Sequence, residues 1–212
     1  YLSYSLDGNH LMKSVLLLSG GMDSTAIAWW KRPDYALTID YGQLAAKAEI
    51  AASQSICRYL NIPHEILTVD CRNIGSGDMA GTIESQHAPA SDWWPYRNQL
   101  LITLAGMKML PFNISKILIG TVKTDNGHTD GSHEFIDAMN QLMFLQEGHI
   151  TVEAPAINLS TKELIQLSNI PAELLAWSHS CHKSEVTCGN CRGCNKYFEI
   201  FEQVGYDLGK LG

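Results

Sequence analysis

"SVLLLSGGMDST", residues 14–25, decides how this chain is read. The apolar run over 14–18 has the length and continuity of a strand buried on both faces. It stops at Ser19-Gly20-Gly21, and Asp23-Ser24-Thr25 lead into a helix expected over 24–32, ended by Pro33. A Gly-rich turn between a buried strand and a helix gathers backbone N–H groups at the positive helix end, which makes a phosphate cradle. Glycines at 20 and 21 let the chain approach phosphate oxygens without a Cβ in the way. Yet the lysine of the familiar P-loop is missing, and adjacent glycines followed by an acid do not match the dinucleotide G-x-G-x-x-G. The nucleotide-binding candidates are Leu18, Ser19, Gly20, Gly21, Asp23, Ser24 and Thr25. The hydroxyls of Ser19, Ser24 and Thr25 are extra donors. Asp23 is repelled by bare phosphate and suits a Mg²⁺ ion bridging two phosphates.

The pattern around this stretch repeats. "YALTI" (35–39) and "HEILTV" (64–69) read as strands, separated by a helix over 44–60. A helix over 97–109, a strand at 116–120, a helix over 132–146 and a strand at 150–154 follow. Ser160 and Glu163 form a capping box that opens a further helix. Strands alternating with helices predict an α/β fold, a Rossmann-like parallel sheet with helices on both faces. Residues 71–92 break the rhythm, rich in Gly, Ser and Asp, and loops of that length are usually mobile lids or disordered. A second irregular stretch covers 121–131.

With 212 residues, 45% hydrophobic and 17% charged, the chain has enough apolar content for an ample core. Its formal net charge of −7 argues against a wide nucleic-acid footprint. No apolar run reaches membrane-spanning length and no secretory signal is evident, so a cytosolic (cytoplasmic) protein is expected.

Four of the six cysteines crowd into "CHKSEVTCGNCRGC", as Cys181, Cys188, Cys191 and Cys194. Cysteines two residues apart curl their thiolates onto one metal, and four sulfurs close a tetrahedral structural Zn²⁺ site. Iron–sulfur ligation is the main rival reading, and disulfides stand further behind. His179 and His182 lie beside this set as neighbours. Cys57 sits on a helix stripe and reads as core; Cys71 reads as inert.

The S-G-G-x-D-S segment resembles the pyrophosphate loop (PP-loop) of the adenine nucleotide alpha-hydrolase-like superfamily. That resemblance implies a loop that holds pyrophosphate as a leaving group while a nucleophile attacks the alpha phosphorus, so no gamma-phosphate lysine is needed. Together with the cysteine knot, the chain is similar to the 7-cyano-7-deazaguanine synthase (QueC) family from about residue 14 to 206. The match runs through "IDYGQ" (39–43), "PYRNQLL" (95–101), "EFIDAMN" (134–140), "LSTKELI" (159–165) and "WSHSC…CGNCRGC". The resemblance implies residues 1–175 as an ATP-binding domain and 176–212 as a small zinc-binding helical subdomain packed on it. It implies an ATP-dependent carbon–nitrogen ligase of queuosine biosynthesis, using Mg²⁺. Such an enzyme converts 7-carboxy-7-deazaguanine and ammonia to the nitrile through adenylated carboxylate and amide. Its partners are small molecules, not nucleic acid, with a homodimer compatible.

The catalytic candidates implied are Asp23, Arg97, Asn98 and Asp125. Arg97 clamps a carboxylate or phosphate, Asn98 reads an amide or purine edge, and Asp125 or Asp130 pairs with the guanine-like face. Lys123 is a further phosphate candidate, and Trp93 and Trp94 read as packing. The chain departs from the family where substrate is held. Leu44-Ala45-Ala46 replace basic residues after Y-G-Q, and Thr129, Gly131 and Ser132 replace proline, cysteine and arginine. Two rivals stay open: a tRNA thiolase, and a nucleotide-binding module that has lost the substrate chemistry.

Overall fold

Strands that are apolar on both faces need cover on both sides, and the helices between them provide it. The structure, a computed structural model, describes residues 12–125 and 128–206. Strands β1 (Lys13–Leu17), β2 (Tyr35–Asp40), β3 (His64–Thr68), β4 (Ile114–Leu118) and β5 (Thr151–Glu153) form one sheet in the order β3-β2-β1-β4-β5. All four pairings are parallel. The described helices are α1 (Met22–Lys31), α2 (Ala46–Leu60), α3 (Arg97–Met109), α4 (His133–Phe144), α5 (Thr161–Ser168), α6 (Ala172–Ala176) and α7 (Arg192–Val204). None of them is long and apolar enough to cross a membrane.

The period-2 alternation of the strands sorts the core into two layers. Leu16, Leu18 and Leu118 face one side, packed with Ala26 and Ile27 of α1, Ile56 and Cys57 of α2, Leu164 of α5 and Phe201 of α7. Val15, Leu17 and Ile117 face the other, packed with Ile102 and Met109 of α3 and Ile136 and Met139 of α4. The C-terminal helix therefore shares its core with α1.

Strand order runs outward in opposite directions from β1, so the crossovers that follow β1 and β4 part on opposite faces. A crevice opens at their carboxyl ends, where open α/β sheets bind ligands. Gly120, just past β4, lets this edge sit on the start of α1, since a Cβ there would lie 3.4 Å from Ser24 Cβ.

Boundaries shift where side chains intervene. The second helix starts at Ala46 rather than residue 44 because Gln43 folds the Y-G-Q segment into a turn. Its Oε1 accepts from Tyr41 N at 2.9 Å, and its Nε2 donates to Ile39 O and to Glu49 Oε2. Residues 71–92, expected as a mobile or disordered loop, are laid against the sheet in a series of turns. Met79 and Trp94 are buried in the core of that face, and Asp78 N donates to Ser91 O at 2.7 Å. Trp94 stacks edge-on against Tyr41, as packing and not as a ligand platform.

The glycines of the loop do different jobs. Gly20 has φ +74, and a Cβ there would lie 2.7 Å from Glu49 O of α2. Gly21 is extended, and its Cβ would meet nothing closer than 3.4 Å. Gly20→Ala is therefore expected to cost more than about 2 kcal/mol in denaturant unfolding, while Gly21→Ala stays within about 0.5 kcal/mol of the parent. Equal losses at both positions would contradict this division.

Candidate active site

The site is built on the first turn of α1. Helix N-termini carry unpaired N–H groups that normally find a side-chain cap. Here the N-cap is Gly21, and no side chain caps the helix. Its first N–H groups are thus available to a ligand in a cleft of about 390 Å³, lined by Ser19, Gly21, Met22, Asp23 and Ser24 of the loop. Ser19 and Ser24 hydroxyls lie 3.2 Å apart at the rim. Leu18 lines the cleft and spends its carbonyl on Thr38 and Ser53 hydroxyls. Gly20 and Thr25 are not in the lining; Thr25 is fully buried and donates to Gly21 O at 2.7 Å, so it shapes the loop from behind.

Asp23 faces the cleft, with Oδ2 2.8 Å from Lys196 Nζ of α7. Its Oδ1 is buried without a hydrogen-bond partner. A carboxylate oxygen buried without a donor is costly, and it is the arrangement a cation would complete.

From the opposite wall, Arg97 and Asn98 open α3. Arg97 Nη1 points at Met79 Sδ, 3.2 Å away, and its charge acts on Tyr41 and Glu49. Asn98 is anchored: its backbone N–H donates to Asp130 Oδ2 at 3.1 Å and its Nδ2 to Asp130 O at 2.8 Å. Asp130 thus caps α3 from outside, and Asn98 keeps its Oδ1 and its second Nδ2 hydrogen for a ligand. Asp125 ends the short turn Lys123–Asp125 after β4, and its side chain lies outside the described residues. Lys123 is exposed and not part of the lining.

Sequence reading missed Lys196 and Arg192 of α7, and two carboxylates as well. Glu49 lines the cleft, held by Gln43 Nε2 at 2.7 Å, and burial pushes its carboxyl up to about 7 against the opposing pull of Gln43 and Arg97. Asp92, at the end of the 71–92 segment, is buried beneath three basic side chains. Arg192 Nη1 lies 2.6 Å away, His182 Nδ1 3.4 Å and His128 Nε2 3.8 Å. Burial raises the Asp92 carboxyl, but these neighbours outweigh it and the net shift is downward. His182 contributes the largest part of that lowering, ahead of Arg192 and His128, while burial in turn holds His182 below its usual range.

The four cysteines come together as expected. The Sγ atoms of Cys181, Cys188, Cys191 and Cys194 all lie within 4.8 Å of one another, with Cys188–Cys194 at 3.8 Å and Cys191–Cys181 at 4.0 Å. A tetrahedron with Zn–S bonds of about 2.3 Å has edges of about 3.8 Å, so the sulfurs fit a single metal ion. A multi-iron cluster ties each cysteine to a separate iron and spreads the sulfurs wider. Cys191 also caps α7, its Sγ accepting from Cys194 N. The segment leading into the knot is tied to the glycine loop: His179 N donates to Gly20 O at 2.8 Å.

A glycine loop ending in an uncapped helix, facing a switch-point crevice and backed by a thiolate knot, defines a PP-loop-type α/β protein with a four-cysteine metal-binding cluster. The family model described as "Queuosine biosynthesis protein QueC" matches residues 13–205, and the chain belongs to that family. Relatives named 7-cyano-7-deazaguanine synthase include those of Chlorobium chlorochromatii, 32% identical over 92% of this chain and 94% of its own length, and Campylobacter jejuni, 31% identical over 92% and 95%. Family and relatives mark the chain as an enzyme of the QueC type. Among solved structures, NMN synthetase from Francisella tularensis shares the fold, with TM-score 0.51 and 15% identity over 94% of this chain and 80% of that one.

Two outcomes are expected. Cys191→Ser removes both a metal ligand and the α7 cap. It should abolish metal binding, read as moles of metal per chain, and lower Tm by about 10 °C; a full metal complement in the variant contradicts the ligand set. For Glu49, the folded value of about 7 lies above the ordinary carboxyl value of 4.5, so the folded state holds an extra proton between them. That contribution to stability is complete below about pH 4.5 and is lost as pH rises through about 7. Glu49→Gln stays neutral and keeps an acceptor for Gln43. It should be more stable than the parent at pH 8 by about 1–3 kcal/mol and equal at pH 4. A difference of the same size at both pH values is the contrary result.

Proposed function

We propose that this protein is an ATP-dependent carbon–nitrogen ligase that converts 7-carboxy-7-deazaguanine and ammonia to 7-cyano-7-deazaguanine. In this reading, residues 1–175 bind nucleotide and substrate, and residues 176–212 form the zinc-bound subdomain that closes the site. The observation that carries it is the uncapped N-terminus of α1 beneath Ser19–Ser24, opening into the same cleft as Arg97 and Glu49.

A carboxylate is a poor acyl donor because it must expel an oxide. Transfer of AMP to that oxygen makes it a good leaving group, with pyrophosphate departing into the glycine loop. Ser19, Gly21 and Ser24 hold the pyrophosphate, and the α1 dipole offsets its growing charge. Mg²⁺, when bound at Asp23, neutralises the phosphates. Arg97 holds the substrate carboxylate by charge-assisted hydrogen bonds. Pairing with the amidine edge of the deazapurine falls to Asp125 or to Asp130, whose Oδ2 also accepts from Asn98 N. A second transfer of AMP, to the amide oxygen, lets that oxygen leave as the nitrile forms. Ammonia must lose a proton as it adds, and Glu49, titrating near 7, is placed to take it up. Zinc in the cysteine knot is structural, since four thiolates leave no position open to substrate.

One observation favours a second reading: Gly131 lines the cleft where the family resemblance places a cysteine, and Ser132 is spent capping α4 instead of offering a guanidinium. The same two activations would then act on a different carboxylate.

Incubation with Mg·ATP, ammonium and 7-carboxy-7-deazaguanine should release AMP and pyrophosphate and yield the nitrile by mass spectrometry. Arg97→Met should lower kcat/KM by about 100-fold or more, as expected for loss of a carboxylate clamp. AMP release with another acid but not with this one would select the second reading. No AMP release with any acid would refute both.

A further inference from the structure

The opening loop lacks a phosphate lysine of its own, yet a lysine stands at it. Lys196 comes from α7, far along the chain, and its Nζ lies 2.8 Å from Asp23 Oδ2. Both side chains line the cleft, and both are mostly shielded from water, at 33% and 17% exposed. We propose that Lys196, delivered by the four-cysteine knot, is the cation that grips the pyrophosphate portion of the nucleotide, with Asp23 as its holding partner when no nucleotide is bound.

Three cations line the cleft, and their surroundings separate them. Arg97 lies among Tyr41, Glu49 and Met79, on the side of β2 and the 71–92 segment. Arg192 is locked 2.6 Å from the buried Asp92. Lys196 is bonded to a residue of the loop itself, its Nζ donating to Asp23 Oδ2. Arg192 and Lys196 are four apart on α7, so one helix face presents both to the cleft. That face is oriented by the knot, because Cys191 and Cys194 are part of the same first turn and His179 ties the segment leading into the knot to Gly20.

The exchange is balanced in charge. Asp23, whose Oδ1 is already without a donor, would hold a divalent cation if one came with the nucleotide, and that cation would neutralise phosphate charge. The ammonium released from Oδ2 passes to a phosphate oxygen. Neither the carboxylate nor the ammonium is left unpaired in a shielded site, which would be the expensive alternative. A flexible point charge suits this hand-over, since it can move from one oxygen to another without the planar match a guanidinium needs.

This assignment rests on the nucleotide reading above, and its test separates the two. Equilibrium binding of Mg·ATP, Mg·pyrophosphate and AMP is measured for the parent, Lys196→Met and Lys196→Arg, alongside metal content per chain. Lys196→Met should bind ATP and pyrophosphate about 10- to 100-fold more weakly, bind AMP within about 2-fold of the parent, and keep its metal. Lys196→Arg keeps the charge but not the compact ammonium, and should recover only part of the loss. ATP and pyrophosphate affinities unchanged in the methionine variant, or AMP weakened equally, would overturn the assignment while leaving the nucleotide site in place. A parent protein that binds neither ATP nor pyrophosphate would overturn the nucleotide reading itself and this assignment with it. Reductive methylation of the parent, read by peptide mass spectrometry, gives the same answer without a substitution. Lys196 should be protected by Mg·pyrophosphate and not by adenosine; equal labelling under both conditions would overturn the assignment.

Discussion

The first turn of α1 has backbone N–H groups and no side chain to satisfy them, and the rest of the molecule is arranged around that deficit. The sheet places this turn at the point where strand order reverses, so the groups open into a crevice rather than into core. The loop's approach to α2 leaves no room for a Cβ at Gly20. Behind it, Thr38, Ser53 and Thr25 hydroxyls absorb the carbonyls of Leu18 and Gly21. What points forward is donor-rich, and what points backward is already bonded. An anion is the ligand such a turn asks for.

Opposite the loop, the site mixes charge signs. Asp23, Glu49, Asp92 and Asp130 face Arg97, Arg192 and Lys196 in one cleft. A chain of net charge −7 thus gathers three cations in one cleft, with Lys196 partly shielded and Arg192 more than half exposed. The cysteine knot contributes two of these three cations. The four cysteines therefore orient the helix that carries these cations as well as gathering one another.

Local signals were readable in the chain. The run "SVLLLSGGMDST" gave strand, loop and helix because each was encoded within a few neighbours. The Ser160–Glu163 capping box and the cysteine spacing were readable for the same reason, and both are present. The partners of the site were not, because they join residues far apart: Lys196 with Asp23 and Arg192 with Asp92 are separated by 173 and 100 positions. Two cations four apart beside a metal knot were the available hint, for they had to share a helix face. Glu49 gave less warning, since a glutamate on a helix beside alanines reads as solvated until the loop packs over it. Residues 71–92 are irregular, as their composition indicated, and their glycines and serines build tight turns around Trp94 and Met79, which the sequence did not show.

The central claim is that the loop at 19–24 directs an acceptor oxygen onto the alpha phosphorus. Isotope tracing tests it most directly. With ¹⁸O in both carboxylate oxygens of 7-carboxy-7-deazaguanine, the account predicts AMP that carries ¹⁸O on its phosphate and pyrophosphate that carries none. Label found in inorganic phosphate or pyrophosphate, with AMP unlabelled, would contradict it.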